Sequence, residues 1–234
     1  MITVENLSLR AGTFGLNAVS FEVPTGQHAI LMGRTGSGKT SILEAICGLR
    51  PVEAGSIRLN GRDVTGCAPA LRGIGFVPQD GALFPHLTVR EHLTFAMSIR
   101  GWDQDRMNKR VQDMAGWLRL DRLLDRKPFA LSGGEAQRAA LGRALSFQPE
   151  ILCLDEPLSA LDEETREEIR DVLQAVRNHS RVTILHVTHS LADAHKLADC
   201  VLRLRDGVVG IDEGCVELAR ATTLGLIQGP ASDQ

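Results

Sequence analysis

The stretch Gly33-Arg34-Thr35-Gly36-Ser37-Gly38-Lys39-Thr40 limits what this chain can fold into more than any other part, because it fits the phosphate-binding pattern G-x-x-x-x-G-K-[ST]. Glycines let backbone N–H groups close around a phosphate. The lysine ammonium reaches the β- and γ-phosphates, and the last hydroxyl is offered to Mg2+. Such a loop needs a buried strand before it and a helix N-terminus after it, whose dipole favours an anion. Both neighbours are present. His28-Ala29-Ile30-Leu31-Met32 suits a buried strand, and Ser41-Ile42-Leu43-Glu44-Ala45-Ile46-Cys47 continues with helical spacing. Gly33 through Ser41 are therefore the candidate nucleotide contacts, with Lys39 supplying charge and Thr40 the metal-facing hydroxyl.

The rest of the chain predicts an α/β core around that loop. Ile2 to Arg10 alternates as a half-exposed strand with a break after Val4, and Val19 to Val23 is a second strand. Ser56 to Leu59 ends in Asn60-Gly61, a hairpin signal, so a small antiparallel sheet lies beside a parallel core. Ile74 to Val77 is a short strand cut off by Pro78. From about Leu87 to Phe147 the spacing turns helical, with segments at Val89 to Ile99, Met107 to Leu120 and Ala136 to Leu145. Ile151 to Leu154 resumes the core. Ile169, Val172, Leu173 and Val176 then form the inward stripe of a helix over Glu163 to Arg177. A strand over Val182 to Val187, a short helix over Ala192 to Leu197 and a hairpin turning at Asp206-Gly207 complete the pattern. Strands alternating with helices define the class. The tail from Gly229 to Gln234 reads as disordered.

With 234 residues, 43% of them hydrophobic, the chain can bury one sizeable core. A formal net charge of −3 gives no electrostatic basis for nucleic-acid binding, and the acidic cluster Glu163, Glu164, Glu167 and Glu168 reads as a solvated helix face. Cys47, Cys67, Cys153, Cys200 and Cys215 show no C-x-x-C spacing, so neither a disulfide framework nor a zinc site is expected, and Cys153 reads as a small core hydrophobe. The N-terminus lacks the apolar centre of a signal peptide, and no apolar run is long enough to span a bilayer. Work at a membrane would require a partner.

Two more segments carry chemistry. Ile151-Leu152-Cys153-Leu154-Asp155-Glu156 puts two carboxylates at the end of an apolar strand. Asp155 suits Mg2+, as the acid at this position does in phosphate-loop enzymes, and Glu156 suits the polarising of an attacking water. Leu131-Ser132-Gly133-Gly134-Glu135-Ala136-Gln137-Arg138 opens a helix with a hydroxyl and backbone N–H groups. Alone it would read as an ordinary N-cap.

Together with Gln79 in Phe76-Val77-Pro78-Gln79 and His189 in Val187-Thr188-His189, these motifs resemble, in order and over nearly the full length, the nucleotide-binding subunits of ABC transporters. The resemblance implies a phosphate-loop NTPase core of the RecA-like type, an N-terminal antiparallel β subdomain and an inserted helical signature subdomain. It implies one domain over residues 1–228, with 1–86 and 148–228 as core and β subdomain, 87–147 as helical subdomain and 229–234 as a flexible tail. Gln79 then corresponds to the glutamine that touches Mg2+ and the attacking water. Ser132, Gly133 and Gly134 correspond to the signature loop, which contacts the γ-phosphate bound by the opposite subunit. Ser159-Ala160-Leu161-Asp162 corresponds to the loop across the dimer seam, and His189 to the histidine that bridges the γ-phosphate. The implied ligands are ATP and Mg2+, and the implied assembly is two cassettes sandwiching two ATP molecules, a homodimer or a pair of related subunits.

The chain has no tyrosine, so an adenine-stacking aromatic would have to be Phe14; a packed loop phenylalanine is the equal alternative. Glu135 replaces the more usual glutamine, a spelling that recurs among molybdate-type importers. Ala82-Leu83-Phe84-Pro85-His86-Leu87-Thr88-Val89, just after Gln79, resembles the importers for molybdate, tungstate, sulfate and polyamines. In the family this region receives a helix of the membrane permease, while Leu87 and Leu93 suit ordinary packing. With the sequence ending soon after Ile211, the regulatory domain of many importer ATPases is not expected. The resemblance thus implies an import ATPase, peripheral on the cytoplasmic face of the inner membrane, served indirectly by a solute-binding protein, with an oxyanion as cargo. An exporter or lipoprotein-release ATPase and a soluble non-transport ABC ATPase remain alternatives. A small-molecule kinase would lack the Ser-Gly-Gly signature.

Overall fold

The computed structural model describes residues 1–12 and 14–212. Its strands form two sheets. The first contains β1 (Ile2–Ala11), β2 (Phe14–Val23), β4 (Ala54–Leu59) and β5 (Arg62–Asp63), all antiparallel, in the order β2-β1-β4-β5. The expected break in β1 falls at Asn6, whose φ of 48° accompanies a register shift between Val4 and Leu7. Ile2, Val4, Leu7 and Leu9 consequently all reach the core. β2 starts earlier than its apolar signal, because Phe14, Gly15 and Leu16 pair with Ala11, Arg10 and Leu9 of β1 while much of the stretch from Phe14 to Ala18 faces solvent. Asn60 and Gly61 both adopt positive φ, 50° and 81°, and close the β4–β5 hairpin as expected.

The second sheet is built on β3 (His28–Gly33), β6 (Ile74–Val77), β7 (Ile151–Asp155), β8 (Thr183–Val187), β9 (Cys200–Arg205) and β10 (Val208–Ile211), in the order β10-β9-β3-β8-β7-β6. All neighbours are parallel except β10, which returns antiparallel to β9 at Asp206-Gly207. Strands buried on both faces explain the continuous apolar runs of β3, β7 and β8. One face, carrying Ala29, Leu31, Cys153, Leu185 and Val187, packs with α1 (Lys39–Cys47) and the antiparallel sheet. Ile30, Leu152, Leu154 and Ile184 point the other way. They meet α4 (Gly133–Leu145), α5 (Glu163–His179) and α6 (Leu191–Leu197) in a second core shared with α2 (Val89–Ile99) and α3 (Gln104–Leu118).

Helices α2, α3 and α4 all lie between β6 and β7 in the chain. Leu93 is fully buried there, as ordinary packing predicts. Cys47, Cys67, Cys153 and Cys200 are free thiols, and Cys153 is fully buried; Cys215 lies outside the described residues. The acidic cluster is a solvated face as expected, with the side chains of Glu163, Glu167 and Glu168 42–65% exposed, and it also pairs with two inward-facing arginines: Glu163 and Glu167 bond Arg170, and Glu168 bonds Arg138. No helix among the described residues is long and apolar enough to cross a membrane. The expected tail at 229–234 lies outside the described residues.

Candidate active site

Parallel strands deliver their carboxyl ends to one edge of the sheet, and the candidate residues follow those ends. The phosphate-pattern loop leaves β3, Gln79 follows β6, Asp155 ends β7 with Glu156 next, and His189 follows β8. A cleft of about 480 Å³ is lined by Lys39, Thr40, Ser41, Gln79, Glu156 and His189, among others. It adjoins a groove of about 1020 Å³ that shares Phe14, Thr35, Gly36 and His189 with it. The loop is shaped for close approach. Gly38 has φ 101°, and a Cβ there would lie 2.8 Å from both Leu16 Cδ1 and Phe14 Cε1. Phe14 therefore packs on the loop and also lines the groove.

Lys39 curls back on its own loop, its Nζ donating to the carbonyls of Gly33 at 3.0 Å and Arg34 at 2.9 Å. Burial pulls its ammonium below the ordinary lysine range, against the attraction of Glu156 and Asp155. The Ser37 hydroxyl is buried without a partner among the described residues. Leaving such a group unpaired costs about 1–3 kcal/mol, a penalty that an acceptor entering the loop relieves.

Thr40 Oγ1 donates to Asp155 Oδ1 at 3.2 Å. Asp155 is buried, and burial raises its carboxyl above the usual range; Glu156 and Glu44 push the same way, while the Thr40 bond and Lys39 oppose them. Glu156 holds a left-handed backbone, φ 47°, fixed by its N–H donating to the Val187 carbonyl at 2.9 Å. Its Oε2 lies 2.6 Å from His189 Nδ1, so the end of β7 and the end of β8 are joined side chain to side chain. Non-glycine residues in this conformation are uncommon and concentrate at functional sites.

Ser132, Gly133 and Gly134 stand elsewhere. Ser132 caps α4 in a reciprocal pair, its Oγ accepting from the Glu135 N–H at 3.2 Å while the Glu135 carboxylate accepts from the Ser132 N–H at 2.7 Å. Ser132 and Gly133 are exposed, Gly134 packs on Thr165 of α5, and none of the three lines the cleft. Asp162 is exposed and caps α5, and bonds from the Thr165 N–H and hydroxyl hold its carboxyl below the usual range. Arg203 is a groove residue that sequence reasoning missed. Its available signal was a charged side chain inside the apolar run of β9.

The ABC transporter family model matches residues 16–159. The molybdate/tungstate import ATP-binding protein WtpC of Archaeoglobus fulgidus is 48% identical over 198 residues, covering 85% of this chain and 81% of that protein. WtpC of Pyrococcus horikoshii is 40% identical over 91% of this chain and 62% of that protein. The sulfate/thiosulfate import ATP-binding protein CysA of Mycobacterium bovis is 43% identical over 88% of this chain and 59% of that protein. The chain thus spans about three fifths of the latter two relatives. A solved dimeric structure of the ATP-binding cassette MJ0796, in a post-hydrolysis state with ADP and Pi, superposes with a TM-score of 0.81 at 28% identity, covering 91% of this chain and 98% of that one. The chain belongs to the ABC transporter family. It is an ATP-hydrolysing cassette, with the phosphate-loop α/β core, antiparallel sheet and inserted helices of that class.

Proposed function

We propose that this cassette powers the import of a solute through a membrane permease, working as a dimer that holds ATP between two copies, with an oxyanion of the molybdate or tungstate type as cargo. The observation that carries the dimer is the separation of two anion-binding devices. Lys39 and the phosphate loop line the cleft, whereas the Ser132 helix start faces solvent away from it. A site made by one copy's loop and another copy's Ser132-Gly133-Gly134 accounts for both. The import direction and cargo class are supported by the WtpC and CysA relatives.

Within each half-site, the loop from Gly33 to Ser41 binds the phosphates through backbone N–H groups and Lys39. Phe14 offers a ring face to the base. Thr40 and the Asp155 it bonds, together with Gln79, which lines the same cleft as Thr40, would hold Mg2+, whose charge would neutralise developing negative charge on the phosphate oxygens. The donor set fits such an ion. Mg2+ takes one or two protein oxygens plus phosphates and waters, and a buried carboxylate bonded to a hydroxyl is relieved by a hard cation. Glu156 orients the attacking water, His189 presents its imidazole to the γ-phosphate, and Asp162 sits at the dimer seam.

The reading of residues 1–86 and 148–228 as core and 87–147 as a helical insert is supported by the place of α2, α3 and α4 between β6 and β7, while 213–228 lie outside the described residues. The permease would dock on the segment after Gln79. Exposed Phe84 stacks on His92 with ring centroids 5.8 Å apart and meets exposed Phe95 at 5.2 Å, leaving an aromatic surface on the helical side. The cassette would then lie at the cytoplasmic face of the membrane, and a solute-binding protein would act on it indirectly. Glu156→Gln tests the hydrolytic assignment. ATP binding should persist while steady-state hydrolysis falls about 10²-fold or more; near-normal turnover refutes it. Energised uptake of labelled molybdate by vesicles carrying the cassette with its neighbouring permease and binding protein tests direction and cargo, and release in place of uptake refutes import.

A further inference from the structure

A closed chain of polar contacts runs from the loop after Glu156 back to the histidine that Glu156 touches. It starts at Arg166 on α5, which donates to the carbonyls of Leu158 at 3.3 Å and Leu161 at 3.0 Å in the loop leading to Asp162. Arg166 also donates to Glu163 Oε2 at 2.8 Å, and the other oxygen of that carboxylate accepts from Arg170 Nη1 at 2.9 Å. Arg170 turns the rest of its fork into Asp193, with Nε and Nη2 donating to Oδ1 at 2.9 and 2.6 Å. Asp193 lies in the first turn of α6. Its N–H donates to Ser190 Oγ at 3.2 Å, and its Oδ2 accepts from Thr188 Oγ1 at 3.5 Å. The Ser190 N–H donates to Thr188 Oγ1 at 3.1 Å, which pins the backbone on both sides of His189. His189 then returns to Glu156 at 2.6 Å.

The middle of this chain is the part that needs explaining. The side chains of Arg170 and Asp193 are each 2% exposed, and Arg170 lies next to the apolar stripe of α5. An apolar pair of the same shape is commonly as stable as a buried ion pair or more so, so stability alone does not account for these two charges. A guanidinium that converges two donors on one carboxylate oxygen does something an apolar contact does not, which is to set one relative position of two elements. Here the elements are α5, which directly follows the loop at 158–162, and α6, whose N-cap Ser190 directly follows His189.

We infer that Arg170 and Asp193 are positioning residues that couple the loop at 158–162 to the Glu156–His189 pair, so that a second copy of this chain pressed against that loop sets the geometry of hydrolysis. The inference rests on the reading of Glu156 and His189 given above. A rigid link between the loop and the hydrolytic pair makes turnover dependent on the partner while leaving nucleotide binding at Lys39 and the phosphate loop untouched. A purely structural pair would instead change folding and all functions together.

The test compares Arg170→Lys, Asp193→Asn and the apolar double variant Arg170→Met with Asp193→Leu against wild type and Glu156→Gln. Thermal unfolding, ATP affinity and steady-state hydrolysis are measured on each, well below its melting temperature. The single variants should lose kcat by about tenfold or more while KM for ATP stays within about twofold. The double variant should regain the melting temperature without regaining kcat, so the result stands even where a single variant folds poorly. Folded variants with kcat within about twofold of wild type overturn the coupling. So does recovery of kcat in step with stability in the double variant. Normal hydrolysis by Glu156→Gln removes the site reading on which the coupling rests, and so separates that failure from a failure of the link itself.

Discussion

Gly134→Ala is predicted to strain the seam between α4 and α5. A Cβ at position 134 would lie 2.3 Å from Thr165 Cγ2, a distance that real Cβ atoms essentially never show. The threonine cannot rotate freely away, because its Oγ1 donates to Asp162 Oδ2 at 2.9 Å. Overpacking of this kind costs about 1–3 kcal/mol, and an alanine in a helix returns at most about 1 kcal/mol, less here because position 134 is in the first turn. The expected net loss is about 1–2 kcal/mol. Thr165→Ser removes the offending methyl and keeps the hydroxyl. The remaining contacts of the new Cβ, 3.6 Å to Thr165 Cβ and 3.8 Å to Oγ1, are ordinary. Urea unfolding of the four proteins in the cycle should therefore show a favourable coupling of about 1–2 kcal/mol between the two substitutions. The same Gly134→Ala cost in both backgrounds, within about 0.5 kcal/mol, refutes the close-packing explanation for this glycine.

Arg72 is buried and donates to the Ala45 and Ile46 carbonyls at the end of α1, and to Thr65 and Cys67. Arg72→Met should cost about 2–4 kcal/mol in chemical unfolding, and a loss within error of zero contradicts that role. Phe14→Ala should weaken ATP binding about three- to tenfold with little change in melting temperature, whereas a lower melting temperature with unchanged affinity assigns the ring to packing alone. The fully buried His186 has its pKa lowered from 6.5 to about 4, mainly by burial, and His28, 3.3 Å away, moves in the same direction. The folded state then binds fewer protons than the unfolded state between those values. Stability is full above about pH 6.5 and lost as pH falls toward 4, by up to about 3 kcal/mol for His186. His186→Leu should flatten that slope in a pH series of unfolding curves, and an unchanged slope contradicts it.

Local signals made most of the framework legible. The apolar runs of β3, β7 and β8 sit beside glycine, aspartate and histidine at their carboxyl ends, so the strand pattern and the site residues point to the same edge. The order of the strands is not legible that way. β3 pairs with β8 and β9, about 155 and 170 residues away, and only packing across the sheet selects those partners. Polar contacts at long range were also hidden. Arg170 and Asp193 are 23 residues apart on different helices, and a charged side chain beside an acidic cluster reads as solvated until its burial is known. Phe14 illustrates a third limit. Its ring both packs on Gly38 and lines the groove, so residue type and position alone leave its two roles open.

The mass of Glu156→Gln in saturating Mg2+ and ATP, measured by light scattering after size exclusion, addresses the composite site most directly. This variant should run as a dimer, because bound ATP is not consumed and each copy's Ser132-Gly133-Gly134 closes on the other's phosphates. Adding Lys39→Ala, or replacing Ser132 with arginine, should return it to the monomer. A Glu156→Gln protein that stays monomeric with ATP bound, or a dimer that survives Lys39→Ala, contradicts a site shared between two copies.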